Sequence, residues 1–239
     1  MQIKTPEFNN LMRRGEKIMG WMYLPLHVFV IPFLLGVYSL VSPKTPDSAT
    51  LNVAYYVIGI VYVLIFMRGF LRRNFDTLLD HKANSLLSMV AAYFINAVLS
   101  YAFYAILNYV LPHFGLDLDN PNNEFVNAMA EEGYKTVFAM AVFLGPIVEE
   151  VLFRGVVFGS IRKKSRAWAY VVSVALFSLY HVWQYAIAYM DPTLLLYALQ
   201  YVPVSIALAW CYEKSGSIWA PIFFHMAVNA LSLTIMKNV

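Results

Sequence analysis

Ionisable and amide side chains interrupt three strongly apolar stretches in the second half of the sequence. Six such side chains have a spacing that could support chemistry: Glu149, Glu150, Arg154, His181, His225 and Asn229. Charged groups in hydrocarbon are costly, and they therefore tend to face the interior of a helix bundle and to mark functional sites. We expect these six side chains to form such a site.

The first stretch contains two adjacent glutamates whose helical positions differ. Glu150 and Arg154 are four residues apart, so they can form an ion pair on one helix face. Glu149 points about 100° away from Glu150 on a 3.6-residue helix, and it need not share the arginine. A buried carboxylate without a cation beside it can accept and return a proton. We therefore predict Glu149 as a general base and Glu150–Arg154 as a structural pair that positions it.

The other two stretches carry the remaining groups. His225 and Asn229 are four residues apart and point the same way, so they could hold a developing oxyanion. Phe177 lies one turn before His181 and could pack beside it.

The composition indicates a membrane protein. Apolar residues make up 60% of the 239 residues and charged residues only 13%, which is about half the charged share of a soluble domain. The net charge of +3 is small, and the basic residues lie at the ends of apolar runs. This pattern predicts contact with membrane lipids and no nucleic-acid partner. The single cysteine, Cys211, excludes an internal disulfide.

The apolar runs predict the elements that position the six side chains. A bilayer needs about 20 apolar residues of helix, and seven segments meet this length. The sequence thus predicts an all-α polytopic bundle that forms a single membrane domain over residues 1–239, with a polar loop over residues 113–133. The predicted spans are Met19–Val41, Leu51–Leu71, Leu86–Leu111, Tyr134–Ile161, Trp168–Met190, Thr193–Tyr212 and Ser217–Met236.

The basic residues predict the orientation. With the N-terminus in the cytoplasm, thirteen Lys and Arg residues lie on the cytoplasmic side and three, namely Lys44, Lys135 and Lys237, on the opposite side. The cytoplasmic set includes Lys4, Arg13, Arg14 and Lys17 of the N-terminal tail. We expect a multi-pass protein of the cell membrane, specifically the bacterial cytoplasmic membrane. At about 1.5 Å per residue, the site would lie ~12 to 20 Å from the cytoplasmic helix ends, in a cavity reached from that half.

The order of the motifs adds a resemblance. Glu-Glu-x-x-x-Arg, Phe-x-x-x-His and His-x-x-x-Asn follow one another on three apolar segments. This ordered set resembles the CPBP family of intramembrane proteases, which includes CAAX prenyl endopeptidases and bacterial proteins associated with abortive infection or bacteriocin immunity. Phe153-Arg154-Gly155 and the segment Gly216–Pro221 also resemble its members. The resemblance covers residues 142–231, spans four to seven, as a catalytic core.

The resemblance implies roles for the motif residues. Glu149 and His181 would activate a water molecule, while His225 and Asn229 would stabilise the tetrahedral oxyanion. We expect no cofactor. Zinc bound by Glu149, His181 and His225 is the alternative, since histidines and glutamates can ligate it, although no His-Glu-x-x-His helix is present.

Three functions compete. The first is an endopeptidase that cuts a membrane-associated or lipidated peptide near the cytoplasmic leaflet, as in CAAX processing or in pheromone or bacteriocin maturation and immunity. The second is a non-catalytic adaptor that binds a partner membrane protein, and the complete motif set favours the enzyme over it. The third is a proton-relaying transporter, against which no inverted repeat is found. The sequence leaves the substrate and the oligomeric state open.

Overall fold

The computed structural model describes residues 8–237, and within that range every regular element is helical. This confirms the predicted all-α membrane bundle. Lys4 lies outside the described residues, and the side chain of Lys237 is not described. The helices are α1 (Arg14–Val41), α2 (Ser48–Phe66), α3 (Arg68–Asp80), α4 (Lys82–Phe114), α5 (Pro121–Arg162), α6 (Arg166–Tyr180), α7 (Trp183–Ala188), α8 (Pro192–Ser215) and α9 (Trp219–Lys237).

Each of the seven predicted spans corresponds to one helix or to a pair of consecutive helices. Within the described residues, five helices, α1, α2, α4, α5 and α8, are long and apolar enough to cross a membrane, while α6 and the apolar part of α9 (Trp219–Ile235) are shorter. Outward-facing apolar side chains such as Phe33, Leu40 and Tyr101 are more than two-thirds exposed. In a membrane protein such a surface faces lipid.

The second span ends earlier than predicted. We expected it to reach Leu71, but α2 ends at Phe66 and Met67 has the non-helical angles φ −116° and ψ 2°. The following helix, α3, buries Phe70, Leu71 and Asn74 and exposes basic side chains. An amphipathic helix of this kind suits the membrane interface.

Two other predicted boundaries are wrong. The expected loop over residues 113–133 is helical from Pro121 onward, because Asn120 caps the helix by accepting a hydrogen bond from the Asn123 N–H. Its non-helical break falls at Gly133. The predicted continuous span Trp168–Met190 stops at Tyr180, so His181 lies at the end of α6 rather than inside a helix.

The longest helix, α5, is the central element of the bundle. Almost every residue from Gly145 to Gly159 is buried, and α1, α2, α6, α8 and α9 all contact this stretch. Two parts of α5, Ala139–Leu144 and Glu150–Phe158, are wound as π-helix. Such turns are uncommon and are frequently found at functional sites. The second of them carries Glu150 and Arg154.

Candidate active site

Helices α5, α6 and α9 bring the predicted side chains together at mid-bundle. Five of the six form one contact cluster, and the sixth, Asn229, lies on the wall of the same cavity. The convergence involves residues separated by up to 80 positions in the chain, which supports the prediction of a single site.

Glu149 occupies the centre of the cluster and is only 5% exposed. Its Oε2 lies 3.9 Å from His181 Nε2 and 3.9 Å from His225 Nε2. Its Oε1 accepts a 3.3 Å hydrogen bond from the Tyr56 hydroxyl. A Cβ at Gly145, one turn earlier, would lie 3.3 Å from this same oxygen, so the glycine leaves room for the carboxylate.

Glu150 and Arg154 form the predicted ion pair, with Nη1 and Oε1 3.1 Å apart and both side chains fully buried. Nη2 of Arg154 also donates to the carbonyl and the hydroxyl of Ser205, and the guanidinium lies 4.1 Å from the centre of the Phe177 ring. A buried ion pair needs such additional partners, and α8 and α6 provide some of them for the pair within α5.

The same Glu150 oxygen contacts His225 Nδ1 at 2.9 Å. A carboxylate accepts hydrogen bonds, so we assign the Nδ1 proton of His225 to this contact. The Nε2 of His225 consequently faces Glu149. Arg154, Glu150 and His225 thus form a chain that orients the imidazole ring.

The His181 ring also has a fixed orientation, which its position at the end of α6 provides. Its Nδ1 donates to the Phe177 carbonyl at 2.8 Å, which directs Nε2 toward Glu149. The ring stacks on Tyr201 with centroids 4.3 Å apart and also contacts the Phe177 ring at 4.6 Å, as predicted for Phe177. Both imidazoles therefore present Nε2 to one carboxylate oxygen.

Asn229 lies one turn beyond His225 on the cavity wall. Its Nδ2 donates to the Ala141 carbonyl in the first π-helical stretch of α5, at 2.7 Å. This bond leaves one amide N–H that can donate to another group.

Several contacting residues were missed by the sequence analysis, namely Tyr56, Tyr201 and Ser205. A second group of contacting residues consists of Tyr55, Tyr180 and the fully buried His27: the two tyrosine hydroxyls are 2.9 Å apart, and Tyr55 donates to the His27 carbonyl. The sequence feature that could have indicated these contacts is the presence of tyrosines within apolar spans, because a buried hydroxyl requires a hydrogen-bond partner. Partners on distant helices cannot be identified from spacing.

A cavity of about 690 Å³ is lined by Glu149, His181, His225 and Asn229, whereas Glu150 and Arg154 are buried outside its lining. Its walls come from the middle of the helices or from the halves that lead to the loops 42–47, 115–120 and 189–191, and on α9 from the half that leads to Lys237. With the orientation that the basic residues predict, these loops are on the non-cytoplasmic side. Under that predicted orientation the cavity does not open in the cytoplasmic half, from which we expected the approach, because the helix halves on that side are packed together.

Three residues, Glu149, His181 and His225, were predicted as the alternative zinc site. They are suitable ligand types, but within residues 8–237 no group of three or more His, Cys, Asp or Glu side chains is arranged to hold a metal ion. We therefore derive no metal-dependent step.

Comparisons with known proteins agree with the motifs. The family model described as type II CAAX prenyl endopeptidase Rce1-like matches residues 132–231, which include all six site residues. A Bacillus subtilis (strain 168) protein named "Putative membrane peptidase YdiL" is 24% identical over 180 residues, covering 74% of this chain and 68% of that protein. No solved structure matches the chain significantly. The family match over residues 132–231, the relative and the ordered motifs support membership of the CPBP family of intramembrane proteases.

Proposed function

We propose that this chain is an intramembrane endopeptidase in which Glu149 activates the attacking water. The observation that carries the proposal is the pair of 3.9 Å separations between Glu149 Oε2 and the two Nε2 atoms. These separations are too long for direct hydrogen bonds, and a single water molecule can contact all three atoms. The cavity gives a peptide access to that position.

Hydrogen-bond counting indicates the protonation that the reaction needs. With both Nδ1 atoms donating elsewhere, neutral histidines present only lone pairs to Glu149. Glu149, Glu150 and Arg154 together then carry a net charge of −1, and one proton bound at His225 makes the cluster neutral. His225 Nε2 is in that state a donor, as stabilisation of an oxyanion requires.

The steps follow from this arrangement. Glu149 takes a proton from the water, assisted by His181 Nε2, and the water oxygen forms a bond to the peptide carbonyl carbon. The carbonyl oxygen becomes an oxyanion that accepts hydrogen bonds from His225 Nε2 and the second Asn229 N–H. Glu149 then returns the proton to the amide nitrogen as the C–N bond breaks, which gives a carboxylic acid and an amine, and the acid passes its proton to the amine.

Glu150 and Arg154 act through His225 and are positioning residues in this mechanism. Arg154 neutralises Glu150, and Glu150 holds the Nδ1 proton of His225. Because an imidazole with a fixed Nδ1 partner keeps one orientation and one tautomer, Nε2 stays directed at the reacting atoms.

For the substrate we propose a membrane-associated or lipidated peptide, as the CAAX endopeptidase name of the matching family suggests. The cavity wall includes apolar side chains such as Leu35, Phe125 and Met129 beside amides such as Asn52 and Gln200. This mixture suits a peptide with an apolar part. Maturation of a pheromone or bacteriocin in a bacterial cytoplasmic membrane is a process of this chemical type.

The test compares purified wild type with Glu149→Gln, His181→Ala and His225→Ala, using lipidated and unlipidated peptides with and without a chelator. The exposed His113, on the 3₁₀ turn that ends α4, provides the matched control His113→Ala. We expect the three site variants to lose about 10²- to 10⁴-fold in kcat, with normal folding and no chelator effect.

Other outcomes would change the proposal. Cleavage that the chelator abolishes would assign the water activation to a metal. If all three site variants complemented a deletion strain as well as wild type does, the protease function would be wrong and a membrane adaptor would replace it.

A further inference from the structure

The two ends of the bundle differ in packing. At the end formed by the start of α1, by α3 and by the loops 163–165 and 216–218, buried side chains pack across the interior. Asn10 is buried there and donates to the Gly155 carbonyl, and Phe70 and Ile218 are fully buried. This packing separates the catalytic cluster from that end of the molecule.

The same packed end carries nearly all the basic residues. Of the fourteen exposed or interfacial Lys and Arg residues outside Arg154 in the described part of the chain, two (Lys44 and Lys135) lie at the cavity end. The packed end has Arg13, Arg14, Lys17, Arg68, Arg72, Arg73, Lys82, Arg162, Lys163, Lys164, Arg166 and Lys214. Short loops rich in Lys and Arg stay in the cytoplasm, so the packed end is the cytoplasmic end.

From these two observations we propose that the substrate reaches Glu149 from the non-cytoplasmic side of the membrane. The scissile bond would belong to a membrane-associated peptide segment that is exposed on that side, rather than to a cytoplasmic C-terminal tail. This inference rests on the proposed peptidase function for the nature of the substrate, while the sidedness itself depends only on the cavity and the charges.

The cavity wall fits an uncharged peptide segment. Among the lining residues in the described part of the chain, Glu149 is the sole Asp, Glu, Lys or Arg side chain. Seven amide side chains lie on the wall, and amides can donate to and accept from peptide groups without the cost of burying a charge. They are Asn52, Asn96, Asn122, Asn123, Gln184, Gln200 and Asn229.

The single cysteine makes the sidedness directly measurable. Cys211 is fully buried, and Cys211→Ala gives a background without cysteine. Gln184→Cys places a thiol at an exposed position on the cavity wall, and Asn123→Cys offers a second such position if the first variant does not fold. Lys164→Cys, in the exposed loop at the packed end, is the matched control.

The full chain is expressed in bacterial cells and treated with a membrane-impermeant maleimide. We expect Gln184→Cys and Asn123→Cys to be labelled in intact cells, and Lys164→Cys to be labelled only after permeabilisation. The reverse pattern would overturn the proposal. Labelling does not require turnover, so it can be repeated in a Glu149→Gln background. This separates the proposed sidedness from the proposed peptidase function. If the labelling pattern is as expected but no peptide is hydrolysed, only the peptidase function is contradicted.

Discussion

At the scale of single residues, two tyrosine hydroxyls on α2 provide a matched test of how Glu149 is positioned. Tyr56 donates to Glu149 Oε1 at 3.3 Å, whereas Tyr62, almost two turns along, donates to the Met19 carbonyl at 3.0 Å. Removing either hydroxyl deletes one hydrogen bond between helices. One of the two bonds reaches Glu149, the carboxylate that we propose as the general base.

We expect Tyr56→Phe to lower kcat about five- to tenfold and to leave KM unchanged, because a hydrogen bond to a charged group contributes about 1.5 to 3 kcal/mol and this one is long. Tyr62→Phe should lower stability by about 1 kcal/mol and leave kcat unchanged. Steady-state kinetics and thermal unfolding in detergent measure both. Equal effects of the two substitutions on kcat would show that Tyr56 has no specific role.

The local pairings of the site could be predicted from residue spacing, while its contacts between helices could not. Glu150 with Arg154 and Phe177 with His181 are four residues apart, and helical geometry brings such side chains together. His225 contacts Glu150 from a position 75 residues away, and no periodicity specifies that contact. The family resemblance placed these residues in one site, and the contacts show how they hold one another in position.

The buried Glu150–Arg154 pair contributes little to stability by itself, because desolvation offsets much of its Coulomb attraction. Its retention is better explained by orientation. Glu150 Oε1 contacts both Arg154 Nη1 and His225 Nδ1, so the ion pair fixes the direction of a ring on another helix.

At the scale of elements, the apolar runs predicted which segments are helices but not where they break. No proline or glycine separates Tyr180 from Trp183, so the sequence favoured a continuous fifth span. In the structure the stacking of His181 on Tyr201 of α8 accompanies the helix end. Tertiary contacts of this kind override local propensity.

Close packing of α1 on α5 gives a prediction at this scale. A Cβ at Gly20 would lie 2.3 Å from a γ-methyl of Val156, whereas a Cβ at Gly15 on the same helix would meet no atom within 4 Å. Val156 is fully buried and β-branched, so it cannot move aside at low cost.

We expect Gly20→Ala to destabilise the protein by about 1 to 3 kcal/mol through overpacking. Gly15→Ala should be neutral or slightly stabilising, because alanine favours helix over glycine. Thermal unfolding of the two variants in detergent measures the difference. Equal stability would mean that α1 does not pack on α5 as closely as the structure indicates.

At the scale of the whole molecule, the cavity end carries mainly acidic residues and the packed end mainly basic ones. The cavity end carries seven acidic residues within the described part of the chain, namely Asp47, Asp117, Asp119, Glu124, Glu131, Glu132 and Asp191, against the two basic residues there. Charge of one sign around a cavity mouth attracts ligands of the other sign and raises their association rate. Under the proposed function, the favoured peptide has a basic segment next to the part that enters the cavity.

We expect a peptide with flanking lysines to have a kcat/KM about tenfold above that of the same peptide with flanking glutamates at low ionic strength, and about twofold above it in 0.5 M salt, since salt screens exposed charges. The double variant Glu131→Gln, Glu132→Gln, at exposed positions of α5, should reduce the preference. Asp76→Asn with Asp80→Asn removes two exposed charges at the packed end and should leave it unchanged. Electrostatic attraction at the cavity mouth would be contradicted if both double variants reduced the preference equally, or if salt did not weaken it. Either result would assign the selectivity to contacts inside the cavity.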